Sequence, residues 1–282
     1  MTDVAPEYVA ARGVLLDALD ALAEQRSSFV LVGAQAVYMH TGAVGGTGVY
    51  MTTDSDLAVD VDLLARDPEL TQTLKDANFT PVPHMPGQWI GRLGIRVDLM
   101  AVPHQSTPPH GRRAAKLPHH GKELARLTPG LEPALIDNRV MTITALDGVD
   151  TRTMDLRVAG PAALLTAKLV KLHERWVAFE AGTGKPTRLK EKDVLDCYRL
   201  LVAVETDDLV TGFESHRTSE EAFVATRTGL AFFDQQRRRD EAGLLHTMLS
   251  QALPGDLTAL AAFDALSGDL IDGLANEFVT TD

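Results

Sequence analysis

The chain has 282 residues, 45% apolar and 23% charged, proportions that fit one large or two ordinary globular domains and exclude a disordered or fibrous polypeptide. A formal charge of −12 opposes generic binding to a phosphate backbone, and a single cysteine, Cys197, excludes an internal disulfide framework. The most apolar run, FVLVGAQAVYM, is too short to span a bilayer and the N-terminus lacks a signal pattern, so the expectation is a cytoplasmic protein with no membrane role.

In chain order, residues 8–26 carry apolar positions at helical spacing, and SSFVLVGAQAVYMH reads as strand, glycine turn and helix, with Gly33 where backbone can approach a ligand. A glycine-rich loop, GAVGGTGVYMTT, then runs into Met51–Leu64, MTTDSDLAVDVDLL, which reads as one strand. Alternation puts Asp54, Asp56, Asp60 and Asp62 on one face and Leu57, Val59 and Val61 on the other. Two carboxylates about 4 Å apart repel by roughly 4 kcal/mol at an effective dielectric of 20, so a positive partner is expected there.

Residues 68–79 read as a surface helix begun by Pro68, and QWIGRLGIRVDLMAV as a hairpin around Leu93-Gly94 whose second strand carries Arg96 and Asp98 on its polar face. Residues 103–139 read as a loop with a short helix and include a basic segment, His110–Arg126, with five Lys or Arg against one Glu. By contrast, Gly255–Asp282 holds six acids and no Lys or Arg. A strand, turn and strand precede Pro161, and the period-2 pattern then stops. Helices are expected at about 161–180, 189–205, 218–229, 235–252 and 257–277. The predicted architecture is α/β (α+β): a small mixed-sheet domain over 1–158, an all-helical domain over 159–282, and an active cleft between them.

Asp54 and Asp56 stand at the loop end of their strand, where a substrate can reach. Asp98 is the natural third carboxylate if the two strands are neighbours. Three carboxylates with few bases nearby suit a hard cation such as Mg²⁺, and the bland alternative is a solvated strand edge. In the helical half, Leu165, Leu169, Leu172 and Trp176 form an apolar stripe flanked by Lys168, Lys171 and Arg175. The next helix is apolar on two sides, so Asp193 and Asp196 need buried partners, and that basic stripe is the supply. The nine histidines show no metal-ligand spacing, Cys197 reads as core, and no Walker or G-x-S-x-G pattern occurs.

Taken in order, these stretches resemble the DNA polymerase β-like nucleotidyltransferase superfamily, closest in texture to its AbiEii and MenT type. The matching residues are Gly33, Thr52-Thr53-Asp54-Ser55-Asp56-Leu57, Asp98, Lys168-Leu169 through Arg175, and Lys192-Asp193 with Asp196, covering about residues 28–201. Ala34 departs from the family's Ser or Gly, and the Gly33 to Asp54 spacing is stretched. The resemblance implies a metal-dependent nucleotidyltransferase that moves a nucleotide from a nucleoside triphosphate to an acceptor hydroxyl. Asp54, Asp56 and Asp98 would hold Mg²⁺ or Mn²⁺, and Lys168 and Asp193 would complete the catalytic group. Gly33, Ala34, Thr53, Ser55, Lys171 and Arg175 would bind the nucleotide. Its implied partners are the triphosphate, the tRNA 3′ end as acceptor of a toxin, and a cognate antitoxin protein. Protein or antibiotic nucleotidylation, and a catalytically lapsed fold acting as a binding or regulatory protein, stand as alternatives.

Overall fold

The computed structural model of the chain describes residues 4–42, 52–106, 114–238 and 243–279. The expected glycine-rich loop falls largely on 43–51, and His110, Arg112 and Arg113 of the basic segment fall on 107–113, so these features lie outside the described residues. The architecture is mixed α/β, and the chain divides into two units. One comprises Met1–Ala36, Val49–Thr128 and Asn138–Ala159, and the other Val37–Gly48, Pro129–Asp137 and Gly160–Asp282.

The first unit is built on a mixed sheet. In chain order α1 (Pro6–Ala21), β1 (Phe29–Val32) and α2 (Gly33–Thr41), whose residues from Val37 on are counted with the second unit, lead to β2 (Asp54–Val59) and α3 (Leu70–Asp76). Then follow β3 (Thr80–Pro81), β4 (Gln88–Ile90), β5 (Arg96–Ala101), β6 (Arg126–Leu127), β7 (Asn138–Thr144) and β8 (Thr153–Ala159). The strand order is β3-β4-β5-β2-β1-β8-β7, with β6 joined to the far end of β5. Strand β2 is antiparallel to β1 and parallel to β5, while β8 lies parallel to β1. Central strands covered on both faces read as continuous apolar runs, as in Phe29-Val30-Leu31-Val32, all fully or almost fully buried. α1 seals one side with Leu15, Leu16 and Leu19, none of which reaches solvent.

Two expectations for this unit need correction. β2 ends at Val59, and a 3₁₀ turn over Val61–Leu63 takes Asp60 and Asp62 off the strand. The Asp60 N–H donates to Ser28 O, its carboxylate accepts from Arg157, and Gln105 bonds both Asp60 and Asp62. They are structural anchors of the strand's far end. The stretch 103–139 is also less loose than expected, since it contributes β6, and its His120 is buried, accepting the Leu70 N–H and bonding Ala65 O.

The second unit carries α4 (Pro161–Glu180), α5 (Glu191–Ala203), α6 (Thr206–Ser215), α7 (Glu220–Gln236), α8 (Leu244–Ala252) and α9 (Leu257–Gly273). α4 starts with Pro161 in its first turn, and the Ala163 N–H donates to Asp137 Oδ2. Ser219 and Asp256 cap α7 and α9. No helix was expected over α6, and within it stands Gly212. It is there for close packing, since a Cβ at Gly212 would collide with Ala162 of α4. For the same kind of reason α7 continues through Gly229, which lies against Leu169, and runs to Gln236, whereas α8 begins only at Leu244. Among the described residues, no helix is long and apolar enough to cross a membrane.

Candidate active site

Alternation along β2 separates its first three residues. Asp54 and Asp56 share one face, and Ser55 turns to the other with no exposed surface. Ser55 Oγ donates to Ala11 O and accepts from Gln35 Nε2, and Gln35 Oε1 in turn accepts from Arg12 Nε at 2.8 Å. The guanidinium of Arg12, itself buried, also donates to the Tyr8 hydroxyl and to Thr144 O. Ser55, expected at the nucleotide, is instead a link in the polar lattice that pins α1 and α2 behind β2. With its proton donated and no exposed surface, this hydroxyl does not reach a ligand.

In front of β2 the register is the decisive fact. The parallel pairing of β2 with β5 sets Asp56 opposite Asp98 and Asp54 opposite Arg96, and the antiparallel β4 sets Gln88 opposite Asp98. The third carboxylate therefore stands where the sequence put it, on the neighbouring strand. Thr52 Oγ1 donates to Asp54 Oδ1 at 2.9 Å and so fixes that carboxylate's rotamer, while Thr53 beside it is exposed. Gly33 opens α2 at φ 69°, and a Cβ there would fall on the Asp56 carboxylate. Ala34 follows it, buried, with a methyl group where a hydroxyl would stand in a serine.

Gly33→Ala is accordingly expected to cost about 1–3 kcal/mol, because a non-glycine residue is strained at positive φ and the added methyl must displace Asp56. Urea unfolding together with a transfer assay measures both consequences. A variant with wild-type midpoint and wild-type activity would show that the carboxylate does not depend on the glycine.

The expected scarcity of bases near the aspartates is wrong. Arg126 NH2 lies 2.9 Å from Asp98 Oδ2, and Arg96 NH2 lies 3.6 Å from Asp54 Oδ2. Arg96 could be anticipated once β2 and β5 are neighbours. Arg126 could not, since it arrives on β6 from 28 residues beyond Asp98. Burial raises the Asp98 carboxyl above its ordinary value, outweighing Arg126 and Arg96, which pull it down. Among the described residues no three Asp, Glu, His or Cys side chains converge as a ready metal cage. The donor set still fits a hard cation: all oxygen and anionic, with Asp98 Oδ1 buried and lacking any hydrogen-bond partner.

In the helical unit, the basic stripe of α4 meets the acids of α5. Lys168 Nζ lies 2.6 Å from Asp196 Oδ2 and 3.3 Å from Asp193 Oδ1, Lys171 Nζ lies 2.8 Å from Asp193 Oδ1, and Arg175 NH1 lies 3.1 Å from Asp193 Oδ2. Arg199, missed from sequence, holds the other Asp196 oxygen at 3.1 Å. Asp193 is fully buried; burial opposes its charge, and Lys168, Lys171 and Arg175 overcome this and hold its carboxyl well below the usual range. Four cations face two carboxylates, so the cluster carries a net charge of about +2. The Lys168 side chain is 8% exposed and that of Lys171 39%, as their places around the helix predict.

The candidate site is thus a mixed sheet with aspartates on two adjacent parallel strands and a glycine at a helix start against one of them. The sequence profile of the family described as Nucleotidyltransferase matches residues 11–219, most of the chain, and the chain belongs to that family. No curated protein and no solved structure matches it.

Proposed function

We propose that the protein moves a nucleotide from a nucleoside triphosphate onto an acceptor hydroxyl, with Asp54, Asp56 and Asp98 holding Mg²⁺ or Mn²⁺. The observation that carries this reading is the pairing of Asp56 with Asp98 on parallel strands, with Asp54 one step along the same face. When bound, the ion supplies charge neutralisation on the phosphates and makes the acceptor hydroxyl more acidic. In the transfer the acceptor oxygen bonds to the α-phosphorus, the bond from that phosphorus to the bridging oxygen of pyrophosphate breaks, and the hydroxyl proton passes to Asp98. Thr52 and Gly33 keep Asp54 and Asp56 in place, and the backbone at Gly33 and Ala34, with Thr53, is on offer to the nucleotide.

In the helical unit we assign phosphate binding to Lys171 and Arg175, the two cations of the cluster with solvent-reaching side chains besides their Asp193 contacts. Lys168 and Asp193 set the charge and position of that pair. Lys168→Ala is expected to cut turnover by about 10²-fold and also to lower the melting temperature, because it strips a buried partner from Asp193 and Asp196. Lys171→Ala is expected to keep the fold and lose less activity, with stronger salt dependence. Single-turnover rates beside thermal melts give the ranking, and equal wild-type rates for both variants would remove α4 from the mechanism.

For the acceptor, the AbiEii and MenT resemblance favours the tRNA 3′ end, with a toxin's role and an antitoxin partner. Labelled nucleoside triphosphates incubated with total RNA, protein and aminoglycosides test this directly: label in the tRNA fraction supports it, and label confined to protein or antibiotic overturns it. One observation favours a second reading, a lapsed fold that binds without transferring, namely that Arg96 and Arg126 already pair with Asp54 and Asp98. Manganese titration in the presence of triphosphate separates the two, since the lapsed site binds no metal.

A further inference from the structure

A cavity of about 760 Å³ opens in the sheet unit between the β3–β4 turn and the stretch before β6, within the range of about 300–1,000 Å³ usual for small-molecule sites. Its lining includes His84, Met85, Gln88, Lys122, Glu123 and Arg126. The back of the cavity is firmly built. Gly87, at φ 78°, lies so close to Leu99 O and Arg126 N that no side chain fits there, and its N–H donates to Glu123 O at 2.9 Å. Trp89 Nε1 donates to Leu124 O at 3.0 Å, which ties the second wall to β4.

Two residues belong both to this cavity and to Asp98. Gln88 Nε2 lies 3.4 Å from Asp98 Oδ2, and Arg126 NH2 lies 2.9 Å from the same oxygen. Arg126 Nε is buried without a hydrogen-bond partner, so the guanidinium is only partly satisfied by its contacts to Asp98 and Met100 Sδ. Lys122, exposed at the rim, and His84 add donors to the lining, and Glu123 is its one carboxylate among the described residues. A phosphate offers Arg126 a second, doubly charged destination with the fork geometry guanidinium prefers.

We propose that this cavity takes a phosphate-bearing group of nucleotide size, and that Arg126 couples its occupancy to Asp98. When the phosphate draws the guanidinium away, the Asp98 carboxylate is released for the cation. The coupling rests on the nucleotidyltransferase reading, whereas phosphate binding in the cavity does not. Linkage makes the effect reciprocal, so each ligand tightens the other by the same factor. A free nucleotide and the phosphorylated end of an RNA share this chemistry.

Calorimetry on the full chain uses AMP, adenosine and a 5′-phosphorylated trinucleotide, and Mn²⁺ binding is followed by electron paramagnetic resonance with and without AMP. The expected results are AMP binding without metal, adenosine binding at least about 10-fold more weakly, and a Mn²⁺ affinity raised about 5-fold or more by AMP. Lys122→Glu, on the exposed rim, should weaken AMP about 10-fold with an unchanged melt. Arg126→Gln should bind Mn²⁺ more tightly than wild type and be indifferent to AMP. Tighter binding of the trinucleotide than AMP identifies an RNA end as the source, and equal binding a free nucleotide. Equal affinities for AMP and adenosine, or no effect of Lys122→Glu, overturn the site. Mn²⁺ binding that Asp56→Asn removes but AMP does not alter overturns the coupling alone. A protein that takes up no Mn²⁺ even with triphosphate loses the nucleotidyltransferase reading while the AMP and Lys122→Glu results still judge the cavity.

Discussion

Asp56→Asn yields a folded protein whose transfer rate falls by about 10²-fold or more. Asn preserves the shape that fits against Gly33 and removes one negative charge from a position directly opposite Asp98, so repulsion across β2 and β5 declines. What is lost is a hard anionic oxygen, which a neutral amide replaces poorly at a divalent ion. The informative measurement is the pair: a urea midpoint equal to or above wild type, and transfer absent at saturating triphosphate and Mn²⁺. Wild-type turnover in this variant, or unfolding, would make the aspartates of β2 structural and end the proposal for this face of the sheet.

Asp193→Asn is expected to be the most destabilising conservative change in the helical unit, by about 3–5 kcal/mol, a large part of the about 5–15 kcal/mol that holds a typical domain together. The side chain is fully buried, and its two oxygens hold Lys168, Lys171 and Arg175. An amide in its place would remove the carboxylate that Lys171 and Arg175 bond and leave Lys168 with its contact to Asp196, whose carboxylate also holds Arg199. The sign with pH follows from the depressed carboxyl. Its contribution is present above the ordinary aspartate value of about 3.9 and is lost as pH falls through the lower folded value. Wild type and variant should therefore differ at neutral pH and converge only in strong acid. Guanidinium or urea melts across that range check it, and equal midpoints at pH 7 would show that the α4–α5 cluster tolerates an unbalanced charge.

How far the sequence carried these inferences depends on the range of the forces involved. β2, β5, β7 and β8 follow from local alternation and β1 from a short continuous apolar run, and Asp54, Asp56 and Asp98 could be grouped because two short polar-and-apolar strands suggest neighbours. The match of Asp193 and Asp196 to the α4 bases was legible because buried acids on one helix demand a supply, and only one basic stripe was at hand. Asp60 was misplaced because its partner, Arg157, lies 97 residues downstream and nothing local ends β2 at Val59. Arg126 was missed for the same reason. α6 was missed altogether, and its Gly212 is uninformative on its own, since a glycine that breaks a helix and a glycine that lets two helices touch are identical in sequence.

The bond from Arg12 to Thr144 O spans 132 residues, and β1 finds its parallel neighbour only in β8. A nascent chain emerging residue by residue thus makes the carboxylate-bearing strand early but cannot finish the sheet around it until about residue 159 has left the ribosome. Until then β1 presents a bare hydrogen-bonding edge and α1 carries a guanidinium short of one acceptor. Stalled or truncated products ending before β8 should consequently partition to aggregates or chaperones, and synthesis itself should be the most hazardous interval in the life of this protein.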